Sequence, residues 1–451
     1  MTASTGSNTF IRRVSTLFGA KIIVFGLGLM TTVVVSRLLG PAGKGAYVAV
    51  TALPAMLGAI GTFGLPGAIN YYSARGASVS RLLRSSIIFV TVIAVGSVAV
   101  LWRTLPWLES SVLRAAPDDM LRVILIAIPA GMLASFVGTI LYGRNEVKIY
   151  TSIMVGQSIA TLLILVLLVG VIRLGVPGAV WGSVTISCLG ALAVLLAVRY
   201  VGRRHPEGTP ASARSLVSYG LRAYPAGITG YFNYRADTFL IQALMLNAAG
   251  PLGLYSMAVT MAELIFYIPD SVTTIFMPAV AGSTPEEADL KLGRVSRLTM
   301  LVTVSSSLAL VPAAWIGLHL VLPGFVDCYA AFLVLLPGVV SLSLGKVLTT
   351  YLAGRGRPGV ISVGAGVTLV LNLVANVILI PIFGIVGAAA ASLISYTAMT
   401  AMMLVVACRL SHHSPFFLIL PGTTEVRVIW ATGLRGLAMI RRRVRPAPQR
   451  P

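Results

Sequence analysis

The feature that most constrains this chain is its succession of long, uninterrupted apolar runs. Of its 451 residues, 57% are hydrophobic and only 10% are charged, and the mean hydropathy is +0.92. Soluble domains carry roughly a quarter charged residues. A run of about 20 apolar residues can cross a bilayer as a helix, because a helix satisfies its own backbone hydrogen bonds. The runs are too long and continuous for β-barrel strands, so the sequence predicts an all-α, polytopic membrane protein.

The apolar runs predict about twelve transmembrane helices joined by short loops. Their predicted ranges are 15–35, 46–70, 82–102, 120–142, 151–172, 177–198, 217–246, 253–280, 297–318, 329–352, 360–380 and 385–408.

The second half of the chain repeats the first at an offset near 210 residues. Each half contains six predicted helices, an even number, so the halves are predicted to be parallel repeats with a substrate site at their interface. Three pairs of landmarks carry the repeat: Gly45-x-Tyr47 and Gly253-x-Tyr255, Gly143-Arg144 and Gly354-Arg355, and the segments Leu174–Ser183 and Phe383–Ser392.

The repeat predicts five segments. They are a cytosolic N-terminal tail (1–14), an N-terminal six-helix bundle (15–198), a polar cytosolic linker (199–214), a C-terminal six-helix bundle (215–410) and a basic cytosolic tail (411–451). Two interpretations of the basic tail stay open. It is either an amphipathic helix on the membrane surface followed by a polybasic end, or a plain disordered tail.

Basic residues outnumber acidic ones by 34 to 13, which gives a net charge of +21. Most of them fall in alternate loops, with fewer in the others, where we place Lys44 in the turn-prone tract GPAGKG. This asymmetry predicts that both termini lie in the cytosol, and a bacterial cytoplasmic membrane is the expected location. The charges form no single face, so nucleic acid is not an expected partner. The cysteines and histidines lack ligand spacing, and neither a metal nor a cofactor is expected.

Several charged residues fall inside predicted helices, where insertion costs about 2.5–3.5 kcal/mol and usually reflects a cavity or a partner. The basic ones outnumber the acidic ones, which favours an anionic substrate such as a phosphate or diphosphate. We therefore expect Lys21, Arg37, Arg222, Arg235 and Lys346 to bind substrate, and Glu263 and Asp237 to bind a coupling ion, H⁺ or Na⁺. The remaining acid, Asp270, is predicted near a cytosolic helix end.

Tyrosines near these charges admit two interpretations. Four of them could offer rings and hydroxyl groups to a sugar: Tyr71, Tyr72, Tyr231 and Tyr234. We select Tyr71 and Tyr234 as the candidate substrate-binding residues. Alternatively, all four belong to the aromatic belt at the membrane interface.

The motifs SRLLGPAGKGAYVAV and GLPGAINYY near the start resemble bacterial polysaccharide-export flippases of the Wzx type. The tracts YRADTFLIQ and FGIVGAAAASLISY resemble the seventh and twelfth helices of the same family, within the superfamily of multidrug, oligosaccharidyl-lipid and polysaccharide exporters. The resemblance covers residues 10–410. It implies two six-helix bundles in a V, a cavity lined by Arg37 and Arg235, and transport of a polyprenyl-diphosphate-linked oligosaccharide from the cytosolic to the outer leaflet.

The leading hypothesis is therefore a flippase for a lipid-linked oligosaccharide in cell-envelope polysaccharide biosynthesis, and not an enzyme. Its expected partners are that substrate, membrane lipids, a coupling ion and glycan-assembly proteins. Two alternatives remain: an ion-coupled multidrug exporter of the same fold, which would favour more acids than this chain has, and a non-transporting scaffold in glycan assembly.

Overall fold

The computed structural model of the chain describes residues 3–204, 208–209 and 212–420, except the side chains of residues 3–18, 223 and 226. Apart from one isolated bridge between Ala77 and Thr209, the described residues form helices joined by turns. The helices are α1 (Ala3–Ile60), α2 (Leu65–Ala74), α3 (Val79–Ser111), α4 (Asp118–Ile124), α5 (Ala127–Gly143), α6 (Val147–Leu165), α7 (Gly175–Arg204), α8 (Ala213–Leu244), α9 (Ala249–Glu263), α10 (Tyr267–Ala281), α11 (Pro285–Leu320), α12 (Cys328–Gly354), α13 (Pro358–Ser411) and α14 (Pro415–Ile419).

The protein is an all-α, multi-pass membrane protein, as the apolar runs predict. Within the described part of the chain, nine helical segments are long and apolar enough to cross a membrane. Two of them, Gly19–Ile60 and Pro358–Ser411, are 42 and 54 residues long, so each has the length for two crossings of about 20 residues. Helix α8 is not among the nine. The count of about twelve crossings stays a prediction.

The chain forms two compact units. The first comprises Met1–Ala258, Ile316–Tyr329 and Asn376–Ala388. The second comprises Val259–Trp315, Ala330–Ala375 and Ala389–Pro451. The predicted division into an N-terminal bundle, a linker and a C-terminal bundle stays a prediction.

Two long helices bend sharply at one glycine. Helix α1 continues through the tract that we predicted as a turn, and only Gly40 leaves helical geometry, with φ 67° and ψ −179°. Helix α13 bends in the same way at Gly384, with φ 58° and ψ −134°. Residues other than glycine rarely adopt such conformations because their Cβ atom clashes with the backbone. The predicted boundary between the first two helices is therefore a one-residue bend at Gly40, whereas residues 41–45, which the sequence predicts as part of a turn, are helical.

Other predicted helices are interrupted. The predicted helix 46–70 stops at Ile60 and resumes at Leu65, after Gly64 takes a left-handed conformation and Pro66 starts the new helix. The predicted helix 253–280 contains a 3₁₀ turn at Leu264–Phe266, and a π-helical turn at Val166–Val171 follows α6. Glycine and proline explain the first interruption, since proline is favoured in a first helical turn and glycine tolerates a positive φ.

The repeat-equivalent glycines Gly45 and Gly253 meet in the first unit. A Cβ on Gly45 would collide with the carbonyl oxygen of Ala249 and would lie 2.8 Å from the backbone nitrogen of Gly253. A Cβ on Gly253 would collide with the carbonyl oxygen of Pro41 and would lie 3.0 Å from the nitrogen of Gly45. Only glycine at both positions lets α1 and α9 approach so closely.

The Gly-Arg landmarks of the repeat end corresponding helices. Helix α5 ends at Gly143 and α12 ends at Gly354. The arginine after each glycine bonds to a different group, since Arg144 Nη2 donates to the carbonyl oxygen of Ala77 at 2.5 Å and Arg355 Nη1 donates to Asp289 Oδ1 at 2.6 Å. The repeat therefore preserves the helix ends, whereas the contacts of the two arginines differ.

The start of the predicted basic tail packs on the second unit. Leu418 of α14 is fully buried in a cluster with Leu348, Tyr351 and Leu352 of α12. The ring of Phe417 lies 4.3 Å from the guanidinium carbon of Arg297 on α11. The rest of the tail, from residue 421, lies outside the described residues, and so do residues 205–207 and 210–211 of the predicted linker.

Candidate functional site

Four of the five basic residues that we expect to bind substrate lie on two helices of the first unit. Lys21 and Arg37 are on α1, and Arg222 and Arg235 are on α8. All four side chains are exposed. Exposed cations are costly on helices that cross a bilayer, so they are best explained by contact with water, lipid phosphates or a charged ligand.

The fifth basic residue, Lys346 on α12, has an acidic partner. Its Nζ lies 2.7 Å from Asp270 Oδ1 and 3.9 Å from the centroid of the Phe266 ring. Asp270 is exposed, whereas the Lys346 side chain is largely buried. We expected Asp270 only to reach towards a helix end, but the structure pairs it with Lys346. No sequence signal links these residues, because they are 76 positions apart.

Asp237 is buried in the first unit, with 5% of its surface exposed. Its Oδ2 accepts a hydrogen bond from the hydroxyl of Tyr255, and its Oδ1 accepts one at 2.8 Å from the backbone N–H of Thr238. Arg235, two positions earlier on α8, is exposed. This difference confirms that Arg235 and Asp237 do not share one helical face. Tyr255 is the repeat landmark on α9, two positions after Gly253. Its hydrogen bond to Asp237 therefore connects α8 to the segment of α9 that packs on α1.

Glu263 is the last residue of α9, directly before the 3₁₀ turn that leads into α10. Its side chain is half-buried. Discontinuous membrane helices form ion sites in many transporters. The break next to this carboxylate is therefore consistent with the expected coupling-ion site, which stays a prediction.

Tyr71 belongs to an aromatic cluster of the first unit. Its ring stacks on that of Tyr219 with centroids 4.7 Å apart, and the ring of Tyr72 packs edge-on against both. The guanidinium of Arg75 lies 5.1 Å from the centroid of the Tyr71 ring. Tyr234 is a half-buried residue of α8, 15 positions after Tyr219. The structure thus surrounds Tyr71 with rings and a cation, a combination that suits sugars and anions.

Lys44 is a buried cation that sequence reasoning missed. We placed it in an outside loop, but it lies in the helical part of α1 after the Gly40 bend and is 6% exposed. Its Nζ lies 5.6 Å from the centroid of the Phe325 ring and 3.8 Å from the sulfur of Met257. A buried cation held by a ring and a thioether is unusual. The helical geometry of the residues after Gly40 explains the misplacement, since a lysine in a turn would reach water.

Taken together, the side chains of the first unit have the chemistry expected of an anion site, and this role stays a prediction. Arginines offer paired N–H donors that match phosphate oxygens, and tyrosine rings can stack on sugar faces. The buried carboxylate of Asp237 adds a group that could take up a proton or hold a cation.

Three comparisons place the chain among known proteins. Residues 10–281, from within α1 to the end of α10, match the family described as polysaccharide biosynthesis protein. The chain is also 23% identical over 397 residues to the probable low-salt glycan biosynthesis flippase Agl15 of Haloferax volcanii. That alignment covers 86% of this chain and 81% of Agl15.

Solved membrane transporters share the fold. The lipid II flippase MurJ in an inward closed conformation superposes with a TM-score of 0.70 at 12% identity, covering 95% of this chain and 99% of MurJ. An inward-facing multidrug resistance MATE family transporter of the MOP superfamily superposes with a TM-score of 0.66 at 15% identity, covering 87% of this chain and 98% of the transporter. At such identities the similarity establishes the fold alone.

Proposed function

Because this chain belongs to the polysaccharide biosynthesis protein family, we propose that it is a flippase for a polyprenyl-diphosphate-linked oligosaccharide. It carries the saccharide from the cytosolic to the outer leaflet of the cell membrane, with both of its termini in the cytosol. The family match confirms the resemblance predicted from the motifs near the start of the chain. The name of the similar Haloferax protein supports the same activity.

The observation that carries the proposal is the group of exposed cations on α1 and α8. Lys21, Arg37, Arg222 and Arg235 belong to one unit, and all lie within the residues that match the family. A diphosphate carries negative charge that must be compensated while it crosses the bilayer. Arginine provides that compensation with two parallel hydrogen bonds to phosphate oxygens.

We assign the diphosphate to the first unit because the four cations of α1 and α8 belong to it, whereas Lys346 belongs to the second unit and forms an ion pair with Asp270. Lys346 contributes to binding only in a state in which that ion pair has opened. Tyr71 and Tyr234 take the saccharide, with Tyr71 held in place by the ring of Tyr219. Transport of this kind makes and breaks no covalent bond in the substrate. Alternating access moves the bound headgroup while the lipid tail stays in the bilayer.

Asp237 and Glu263 are the proposed coupling sites, for a proton or Na⁺. The carboxylate of Asp237 accepts a hydrogen bond from the hydroxyl of Tyr255. A change in the charge of Asp237 would therefore alter a contact between α8 and α9. A transporter coupled in this way depends on an ion gradient. Asp237→Asn or Glu263→Gln should then make the flipping rate insensitive to that gradient.

The test is a flipping assay with the full chain in proteoliposomes that contain a short oligosaccharide linked to a polyprenyl diphosphate. A membrane-impermeant glycosidase reports how much saccharide reaches the opposite leaflet. Loss of one charge-assisted contact costs about 1.5–3 kcal/mol, so Arg37→Ala and Arg235→Ala should each slow flipping by about tenfold or more. Arg357→Ala is the matched control, because Arg357 is also exposed but directly precedes α13 instead of lying within a helix. Normal flipping rates in both Arg37→Ala and Arg235→Ala would exclude this substrate site.

A multidrug exporter of the same fold is the second candidate, and the buried carboxylate of Asp237 is the observation that favours it. Organic cations would bind a carboxylate rather than arginines. Under this alternative, overexpression raises resistance to cationic drugs, and Asp237→Asn abolishes the resistance. Drug resistance without saccharide flipping would replace the flippase proposal.

A further inference from the structure

A long groove runs along the surface of the first unit. It lies between α3, α5 and α7, and its volume is about 990 Å³. Nine of its lining residues come from α3, at the three- and four-residue spacing of one helical face. The lining is almost entirely apolar and includes Ala94 and Ala99 of α3 and Cys188 of α7. Ligand pockets have volumes of about 300–1,000 Å³, so this groove has the size of a real binding site.

The length of the groove matches a hydrocarbon chain longer than one leaflet. It extends from Ile87 to Arg103 on α3, which corresponds to about 24 Å at 1.5 Å per residue. The hydrocarbon core of a bilayer is about 30 Å thick, so one leaflet accounts for about 15 Å. Residues 85–102 contain no charged side chain. An occupant that fills the groove therefore passes the middle of the membrane, which a long single chain does better than the tails of a phospholipid.

The groove ends at a cation. Arg103 lines it and is the first charged residue after the apolar stretch of α3. Trp102, which is 62% exposed, lies beside it. Tryptophan next to arginine is typical of the membrane interface, where arginine can bind a lipid phosphate. In the predicted topology this end of α3 faces the outer leaflet.

We propose that this groove binds the polyprenyl tail of the lipid-linked substrate once its headgroup has reached the outer leaflet, with Arg103 bound to the phosphate nearest the tail. The inference rests on the proposed function for the identity of the lipid, and on the groove for its location. The single long chain follows the face of α3, and its charged end meets Arg103, the only basic residue among the described residues that line the groove. The groove thus holds the product and is distinct from the cations of α1 and α8.

The experiment is photo-crosslinking of the full chain in phosphatidylcholine nanodiscs with a long-chain polyprenyl phosphate that carries a diazirine on its tail. Mass spectrometry of peptides then locates the label. We expect labelling within residues 85–103 and around Cys188. Unlabelled long-chain polyprenyl phosphate should compete about tenfold better than a short-chain prenyl phosphate or phosphatidylglycerol.

Paired variants separate the groove from the surrounding lipid surface. Ala99→Trp fills the groove and should reduce labelling by about tenfold. Val100→Trp adds the same ring one position further, where the side chain is 62% exposed and outside the lining, so labelling should persist. Val95→Trp is a second filling variant at an exposed lining position, should Ala99→Trp fail to fold. Arg103→Gln should remove the preference for polyprenyl phosphate over polyprenol, whereas Arg114→Gln, beyond the end of α3, should keep it.

The outcomes separate this inference from the proposed function. Equal competition by phosphatidylglycerol, or equal labelling of Ala99→Trp and Val100→Trp, means that the groove holds only bulk lipid and overturns the inference. If the wild-type protein flips the saccharide but is not labelled in the groove, the inference fails while the function stands. If it is labelled as expected but moves no saccharide, the groove stands as a polyprenyl site and the proposed function fails.

Discussion

Gly45 and Gly253 contact each other through their backbones, although they are 208 positions apart and occupy equivalent places in the two sequence repeats. A Cβ on either residue would collide with a carbonyl oxygen of the other segment. Each glycine is followed two positions later by a landmark tyrosine. The hydroxyl of Tyr47 is hydrogen-bonded to Ser183 Oγ at 2.8 Å, whereas that of Tyr255 donates to Asp237. The first unit therefore contains a crossing of equivalent segments whose flanking hydrogen bonds differ.

Gly45→Ala should destabilise the protein because its added methyl group must push the carbonyl of Ala249 away. Forcing extra atoms into a packed contact typically costs about 1–3 kcal/mol, and the backbone here cannot rotate aside as a side chain would. Gly250→Ala is the matched control, since a Cβ on Gly250 meets nothing within 4 Å. The measurement is the thermal unfolding midpoint in detergent. Equal midpoints for the two variants would contradict the close approach.

Tyr255→Phe should destabilise the first unit because it removes a hydrogen bond to the buried carboxylate of Asp237. The loss of a hydrogen bond to a charged group costs about 1.5–3 kcal/mol. Tyr200→Phe removes an exposed hydroxyl and serves as the control. Chemical denaturation measures the free energy of unfolding of both variants. If Tyr255→Phe is as stable as Tyr200→Phe, the hydrogen bond does not contribute as described.

Lys44→Met should leave stability unchanged or raise it. Burial of a cation destabilises the folded state by several kcal/mol through desolvation, whereas an interaction with an aromatic ring stabilises it by only about 0.5–2 kcal/mol. Methionine keeps the length of the side chain against Phe325 without the charge. Lys44→Ala, by contrast, should lower the unfolding midpoint because it leaves a cavity. A strong loss of stability in Lys44→Met would show that the charge itself holds α1 in place.

Two truncations separate the transporter from the scaffold hypothesis. Deletion of residues 411–451 removes Phe417 and Leu418 from the second unit, and burial of one leucine is worth about 1.5–3 kcal/mol, so this variant should unfold at lower temperature. Deletion of residues 421–451 leaves that packing in place and should keep both the unfolding midpoint and the flipping rate. A stable 421–451 deletion that flips normally in proteoliposomes but no longer supports glycan assembly in cells would favour a docking role for the tail.

The sequence predicts the architecture well because membrane helices follow from hydropathy alone. Most predicted helix ranges coincide with observed helices, and the two Gly-Arg landmarks fall at corresponding helix ends. The exceptions lie where the backbone conformation of a single residue sets the direction of the chain. The tract GPAGKG is typical of a turn, but α1 bends only at Gly40, and this shift buries Lys44. Periodicity cannot distinguish a loop from a bend, since both contain glycine and proline.

The candidate site is less accessible to sequence reasoning. The sequence identifies the charged residues inside helices, but their partners depend on packing between distant segments. Asp270 pairs with Lys346, and Tyr255 donates to Asp237, yet neither pair has a sequence spacing that indicates contact. Conversely, the different faces of Arg235 and Asp237 follow from helical spacing and are confirmed. The faces of one helix are therefore predictable from the sequence, whereas contacts between distant segments are not.

Because Gly40 is the one non-helical residue inside α1, a rotation about its backbone would move the preceding part of the helix as a rigid body. At 1.5 Å per residue, Lys21 lies about 28 Å from Gly40 and Arg37 lies about 4.5 Å from it. A rotation of about 10° at Gly40 would then move the backbone at Lys21 by about 5 Å but move it at Arg37 by less than about 1 Å. Under the proposed function, such a rotation would leave Arg37 close to a bound headgroup and would carry Lys21 away from it.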